Sequence, residues 1–217
     1  MSEAMTPDAA SPKQPDKEKR YVLSGEEAFA VRRWWQRLTL GPEALIAFTQ
    51  QPAWPRGVRA RLRRCESPEA AMLTEGFRHL WHMLPQPEDE TSVRRETRLQ
   101  VWASVALVLA ELRDETPGAS LGGQLGKEKK STGKPFMSEL RFQQLMNCQT
   151  PEELVRRLRR ALALVDRQDV SAVQLTDNIV QWWHEHQGRM AVRPAQRLGF
   201  QWANDYFSAQ SRYARDE

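Results

Sequence analysis

Apolar side chains recur every three or four residues along this chain, between short segments that start or end helices. Ser24 and Glu27 have the spacing of a capping box at a helix N-terminus, and the stripe after them consists of Ala28, Val31, Trp35 and Leu38. Thr150, Pro151 and Glu153 predict a second capping box with proline at the first helical position, followed by the stripe Leu154, Leu158, Ala161, Leu162 and Val165. No segment of useful length alternates polar and apolar residues, as a strand would. The pattern therefore predicts an all-α fold.

The segment between the two sets of predicted helices is rich in glycine and lysine. Residues 116–135 contain five glycines and four lysines, and a loop of that length inside a compact protein is usually a linker or a functional segment. We therefore expect two small helical bundles, over residues 21–115 and 138–217, joined by a long, flexible Gly/Lys-rich loop over residues 116–137. A long helix is expected from about Thr91 to Glu115. Residues 1–20 hold prolines and charges but almost no large apolar side chains, so we expect a disordered tail there.

The residue types that catalysis or metal binding needs are scattered. Cys65 and Cys148 are the only cysteines, and they lie far apart and in no CxxC spacing, so a zinc ribbon or a disulfide scaffold is disfavoured. His79 and His82 lie three residues apart on a predicted helix, but no third ligand has a firm spacing to them. We expect a protein without catalytic residues, metal or cofactor.

The uncharged, strongly apolar stretch from Leu99 to Ala110 is too short to span a bilayer. The N-terminal residues lack the apolar segment of a secretion signal. We expect a cytoplasmic protein with no membrane partner.

Arginine dominates the positive charge, since only seven of the 32 basic residues are lysine. A GC-rich genome also favours arginine codons, so the placement of the arginines has to decide what they mean. Residues 56–64 contain five arginines and no acid. On the helix that begins at Pro151, Arg156, Arg157, Arg159 and Arg160 fall between about 140° and 300° from Leu154, opposite the apolar stripe. Arginines that share a face without interleaved acids indicate an anionic partner, and we expect a sequence-independent grip on a nucleic-acid backbone.

Most of the eight tryptophans fall on or beside the apolar stripes and are expected in the core. Trp34-Trp35 and Trp182-Trp183 are adjacent pairs. One member of each pair is expected to be exposed enough to stack on a base or to fill a partner's pocket. This feature keeps an alternative function open, a helical protein–protein adaptor that docks acidic partners through arginine and tryptophan surfaces.

The order of these motifs resembles the CasB family, the small subunit of the type I-E CRISPR Cascade complex. The matching segments are AVRRWWQRL (Ala30–Leu38), RARLRRC (Arg59–Cys65), GFRHLW around Phe77, GASLGGQL (Gly118–Leu125), SELRFQQL (Ser138–Leu145), LRRAL (Leu158–Leu162), the pair Trp182-Trp183 and WANDYF (Trp202–Phe207). Together they span about residues 26–210. The chain departs from the family pattern in the N-terminal tail and around residues 43–54, so the resemblance implies nothing there.

The resemblance implies two helical bundles and a non-catalytic role in an RNA-guided complex. Its implied partners are the large subunit and the backbone subunits of Cascade, the CRISPR RNA, target DNA with its displaced strand, and a second copy of the chain. The positions that match the family's basic surface are Arg63, Arg64, Arg94, Arg95, Arg141, Arg159 and Arg160. The helical wheel adds Arg156 and Arg157, and the central loop adds Lys127, Lys129, Lys130 and Lys134. Replacing Arg159 and Arg160 is expected to weaken nucleic-acid binding without unfolding the protein.

Overall fold

The computed structural model describes residues 22–49, 51–130, 132–189 and 193–213. Within these ranges the chain forms α-helices, one short 3-10 helix at Pro194–Gln196 and no strand, which confirms the all-α prediction. The helices are α1 (Gly25–Thr39), α2 (Pro42–Thr49), α3 (Arg56–Arg64), α4 (Pro68–Met72), α5 (Glu75–Met83), α6 (Ser92–Leu109), α7 (Leu121–Gly126), α8 (Glu139–Met146), α9 (Pro151–Leu164), α10 (Ala172–His186) and α11 (Leu198–Tyr213). The tail expected over residues 1–20 lies outside the described residues.

The two predicted helix starts differ in how completely they are capped. At α1, the Ser24 hydroxyl accepts from the Glu27 amide at 3.2 Å and the Glu27 carboxylate accepts from the Ser24 amide at 2.9 Å, so this capping box is confirmed. At α9, the Thr150 hydroxyl accepts from the Glu153 amide at 3.2 Å. The Glu153 carboxylate, however, accepts from the amide of Gln149 at 3.1 Å. The prediction of a second capping box is therefore only half right, because the Glu153 carboxylate does not accept from the Thr150 amide.

Helix α6 is the centre of the fold. Its residues from Val101 to Leu109 are all buried. It packs against α3, α4 and α5, which precede it in the sequence, and against α9 and α10, which follow it. The buried apolar residues consequently form one cluster that includes side chains of both predicted halves. The division into two bundles is not confirmed, because a helix assigned to the first half supplies core to the second. Helix α6 also ends at Leu109, earlier than expected.

The glycine-rich segment is helical where it was expected to be a loop. Residues 121–126 form α7, which packs along α11. A Cβ added at Gly122 would lie 2.8 Å from the carbonyl oxygen of Trp202, and one at Gly126 would overlap the carbonyl oxygen of Tyr206. These glycines permit close approach of two helix backbones, and composition alone does not distinguish that use from flexibility. The expected loop is wrong for these residues.

Residues 127–130 and 132–137 form the arms of a short hairpin after α7. The Lys129 amide donates to the Lys134 carbonyl at 2.8 Å, and the Phe136 amide donates to the Lys127 carbonyl at 3.0 Å. The hairpin returns to the core at Met137, whose carbonyl accepts from the Tyr206 hydroxyl at 2.6 Å. The four lysines of the segment are exposed on this hairpin.

Candidate nucleic-acid interface

The carboxylate of Glu111, just beyond α6, gathers three arginines from different parts of the chain. Its side chain is only 10% exposed. Arg63 Nε lies 3.0 Å and Arg167 Nε 3.1 Å from Oε2, and Arg159 Nε lies 3.4 Å from Oε1 without hydrogen-bond geometry. We call these four residues the Glu111 cluster. Burial of a carboxylate is costly unless charged or hydrogen-bonding partners surround it, so these contacts help to hold the fold together.

Arg159 has a second structural task at the end of α3. Its guanidinium donates to the carbonyls of Cys65 at 2.8 Å, Arg63 at 2.8 Å and Leu62 at 3.3 Å. The last carbonyls of a helix have no partner within the helix, so Arg159 acts as a cap supplied from α9. Its side chain is 18% exposed, and burial is the main cause that lowers its pKa.

The expectation that Arg159 lies on the solvent face is therefore wrong. On the helical wheel Arg159 is at about 140°, beside Val155 at about 100°. Val155 is buried although it is not part of the predicted stripe. The buried face of α9 is wider than the stripe, and it reaches the position that Arg159 occupies.

Sequence reasoning did not assign a role to Arg59, which caps α6 in the same way. Arg59 donates from Nε to the Ala110 carbonyl and from Nη2 to the Leu112 carbonyl, both at 2.9 Å. Burial, followed by the charge of Arg63, lowers the pKa of Arg59. Its acceptors are backbone carbonyls, which any residue supplies, so the sequence carries no signal for this contact.

Arg157 is intermediate between the buried and the free arginines. It donates to Glu153 Oε1 from Nη2 at 2.6 Å and from Nε at 2.9 Å, and to the Gln144 side chain at 3.3 Å. A hydrogen bond from the Gln149 amide and then the pairing with Arg157 lower the pKa of Glu153. The positive charge of Arg157 is therefore largely balanced by the Glu153 carboxylate.

Arg64, Arg156 and Arg160 are exposed, and none of them forms an ion pair with a described residue. Arg156 and Arg160 lie at about 200° and 240° on the wheel, directly opposite the buried face of α9. The bonds from Arg159 hold α9 against the C-terminal end of α3, where Arg64 is the last helical residue. We call these three residues the α3–α9 surface.

The remaining predicted residues are exposed but lie elsewhere. Arg94 and Arg95 are in the first turn of α6, and the rise from Arg95 to Leu109 is about 21 Å. Arg141 lies on α8, one turn before the Gln144 that contacts Arg157. Lys127, Lys129, Lys130 and Lys134 are on the hairpin beside α7. The structure thus separates the predicted residues into several patches.

The expectation that one tryptophan of each adjacent pair is exposed is wrong, since all four are buried. The Trp34 indole donates to the Gly76 carbonyl at 2.9 Å and the Trp35 indole to the Leu112 carbonyl at 3.3 Å. Helix α1 packs against α3, α5 and α10, so partners cover a wide arc around it. These two tryptophan pairs therefore do not provide the exposed surface that the protein–protein adaptor hypothesis requires.

Neither a membrane span nor a metal centre emerges from the described part of the chain. None of its helices combines the length and apolarity that crossing a bilayer requires. It contains no group of three or more histidine, cysteine or acidic side chains placed to hold one ion. Burial raises the pKa of the Cys148 thiol to about 11, which disfavours a reactive thiolate there.

Comparison with known proteins gave one positive result. No curated protein and no solved structure matched the chain. A family model described as CRISPR-associated protein Cse2 matches residues 58–207, from α3 through most of α11. That match covers more than half of the chain, and it includes the Glu111 cluster and the α3–α9 surface. The chain therefore belongs to the Cse2 family, the small subunits of type I-E CRISPR Cascade.

Proposed function

We propose that this Cascade subunit binds nucleic-acid backbones without reading their sequence, and so stabilises target DNA and the displaced strand of the R-loop. One observation carries the proposal. Arg156 and Arg160 point away from the core, with no carboxylate paired to them among the described residues. Arg64 lies at the adjoining end of α3.

Electrostatics explains why such a surface suits phosphate. Neighbouring guanidinium groups repel one another, and a phosphate backbone offers anionic oxygens that relieve the repulsion and accept paired hydrogen bonds. Contacts of this kind position a nucleic acid without reading its bases. Exchange of a DNA duplex for an RNA–DNA duplex is nearly balanced in free energy, so a few backbone contacts are enough to tip it.

Arg94 and Arg95 support the proposal independently. They occupy the first turn of α6, which contains no acid. The N-terminus of a helix carries partial positive charge, so cations there are unfavourable by a few tenths of a kcal/mol. An anion that binds across this turn would interact favourably with the arginines and with the helix end together.

The proposed partners follow from this role. They are the CRISPR RNA, target DNA with its displaced strand, the large and backbone subunits of the complex, and a second copy of the chain. Arg141 and the hairpin lysines are proposed as further contacts along the path of the strand. No catalytic step and no cofactor are assigned to this subunit.

The test is the double substitution Arg156→Ala and Arg160→Ala, with binding to a labelled single-stranded oligonucleotide measured across a range of salt concentrations. Two lost phosphate contacts should weaken binding and reduce the slope of log K against log salt by about 1.4. Arg193→Ala with Arg197→Ala is the matched control, because it removes two exposed arginines outside the α3–α9 surface. Equal slopes for the two double variants would contradict the assignment.

A further inference from the structure

An open groove of about 410 Å³ lies between α3 and α5, and the proposed function does not use it. Its lining residues are Arg61, Leu73, Glu75, Arg78, His79 and His82. Leu73 is 89% exposed, more than any other large apolar side chain in the described ranges. A partner that covered Leu73 at the rim of this groove would remove its apolar surface from water, which is favourable.

The groove has an excess of positive charge. Arg61 and Arg78 are exposed, and neither forms an ion pair within the described structure. The lining contains one carboxylate, that of Glu75, whose Oε1 lies 3.3 Å from His79 Nε2, so the two arginines outnumber the acid. Two guanidinium groups therefore remain available beside the apolar Leu73.

Trp54, the tryptophan that contacts the groove residue His79, is already stacked. The Trp54 ring has the guanidinium of Arg37 at 3.4 Å from its centroid and the ring of His79 at 3.8 Å. Non-specific binding of single strands relies on open aromatic faces for the bases, and these contacts occupy the faces of Trp54. A phosphate backbone would also leave Leu73 uncovered, so the groove chemistry favours a polypeptide.

We infer that this groove binds an acidic segment of a partner protein, whose carboxylates pair with Arg61 and Arg78 while an apolar side chain covers Leu73. Arg61 lies one helical turn before Arg64. The bound segment is thus a neighbour of the α3–α9 surface, and the groove gives the subunit a protein contact beside its proposed nucleic-acid contact.

A photo-crosslinker identifies the occupant directly. Benzoylphenylalanine replaces Leu73, and the variant is assembled with the other Cascade subunits and the CRISPR RNA, irradiated and analysed by mass spectrometry. The expected product is an adduct with a protein segment rich in Asp and Glu. The same crosslinker at Ile46, also exposed, should not give that adduct. An adduct with nucleic acid, an adduct with a segment lacking acids, or no adduct would overturn the inference.

Leu73→Ser supplies a charge-neutral test. It removes an apolar contact that the partner would bury, so association of the subunit with the rest of the complex should weaken about tenfold. Oligonucleotide binding by the free subunit should not change, because no charge is altered. Unchanged association would overturn the inference, whereas the Arg156/Arg160 experiment would still decide the proposed function.

Discussion

Arg159 and Arg160 are neighbours in sequence, yet they occupy opposite kinds of environment on α9. Arg159 is directed at three carbonyls at the C-terminal end of α3 and just beyond it, and at Glu111. Arg160 is exposed and has no ion pair with the described residues. One helix thus joins α3 to the core along one flank and presents charge to solvent along the other. A dense run of arginines in a sequence therefore does not measure the charge available to a ligand.

The comparison extends to the whole basic surface. In the Glu111 cluster the guanidinium groups satisfy a buried carboxylate and helix-end carbonyls, so their removal should act on stability. On the α3–α9 surface the guanidinium groups satisfy nothing in the described fold, so their removal should act on binding. The next four substitutions test whether stability and binding separate in this way, in order of decreasing expected effect.

Glu111→Ala should have the largest effect. It removes the carboxylate shared by Arg63, Arg159 and Arg167 and leaves three like charges close together. We expect the free energy of unfolding, measured by urea denaturation, to fall by about 2–3 kcal/mol. This is less than the loss for a fully buried pair, because the arginines are partly solvated. Glu111→Gln keeps the side-chain volume and one acceptor oxygen, so its free energy of unfolding should fall by less than that of Glu111→Ala. An unchanged denaturation midpoint for Glu111→Ala would show that the cluster does not stabilise the fold.

Arg159→Ala should come next. It removes charged hydrogen bonds to the end of α3, and the free energy of unfolding should fall by about 2 kcal/mol. Arg159→Lys should recover only part of the loss, because an ammonium group cannot reach several carbonyls with the fixed fork of a guanidinium. Thermal unfolding of both variants beside Arg160→Ala provides the measurement. Equal melting temperatures for Arg159→Ala and Arg160→Ala would contradict the comparison.

Arg160→Ala should have the reverse profile. Its unfolding free energy should stay within about 0.5 kcal/mol of the unchanged protein, as for most surface substitutions. Its salt slope for oligonucleotide binding should fall by about 0.7. A large loss of stability without a change in slope would place Arg160 with Arg159 among the structural arginines.

Glu153→Gln tests the intermediate case and should have the smallest effect. It releases Arg157 from its carboxylate partner, and oligonucleotide affinity should rise about twofold, in line with the weak coupling of exposed pairs on a helix. Anisotropy titrations of this variant and of Glu153→Gln combined with Arg157→Ala provide the measurement. A similar rise in the combined variant would mean that Arg157 is not the group released.

Glu153 also gives a pH dependence with a defined sign. Its pKa is lowered from 4.5 by the Gln149 amide and by Arg157. An acid whose folded pKa lies below its unfolded pKa stabilises the fold above the unfolded value, and the contribution is lost as pH falls through the folded value. The stability difference between the unchanged protein and Glu153→Gln should therefore be present at pH 7 and should shrink as the pH falls below 4.5. A difference that persists at lower pH would contradict this origin.

The sequence predicted features that depend on spacing, and it failed where long-range contacts decide. The capping box at Ser24 and the stripe of α9 need only local geometry, and the structure contains both. The role of Arg159 depends on the position of the end of α3, 94 residues earlier in the sequence. A helical wheel of α9 gives no information about that contact. The burial of both Trp34 and Trp35 depends on how many helices surround α1. The exposure of Arg156 and Arg160 was predictable, because they lie farthest from the stripe.

The contact between α7 and α11 has a consequence for the lysine hairpin. Gly126 sits against the backbone of Tyr206 at one base of the hairpin, and the Tyr206 hydroxyl binds the Met137 carbonyl at the other. Both ends of the segment are thus fastened to the same residue of one helix. A ligand that meets these lysines finds their backbone already ordered. The protein segment therefore loses less conformational entropy on binding than a freely moving tether, which the glycine content suggests, would lose.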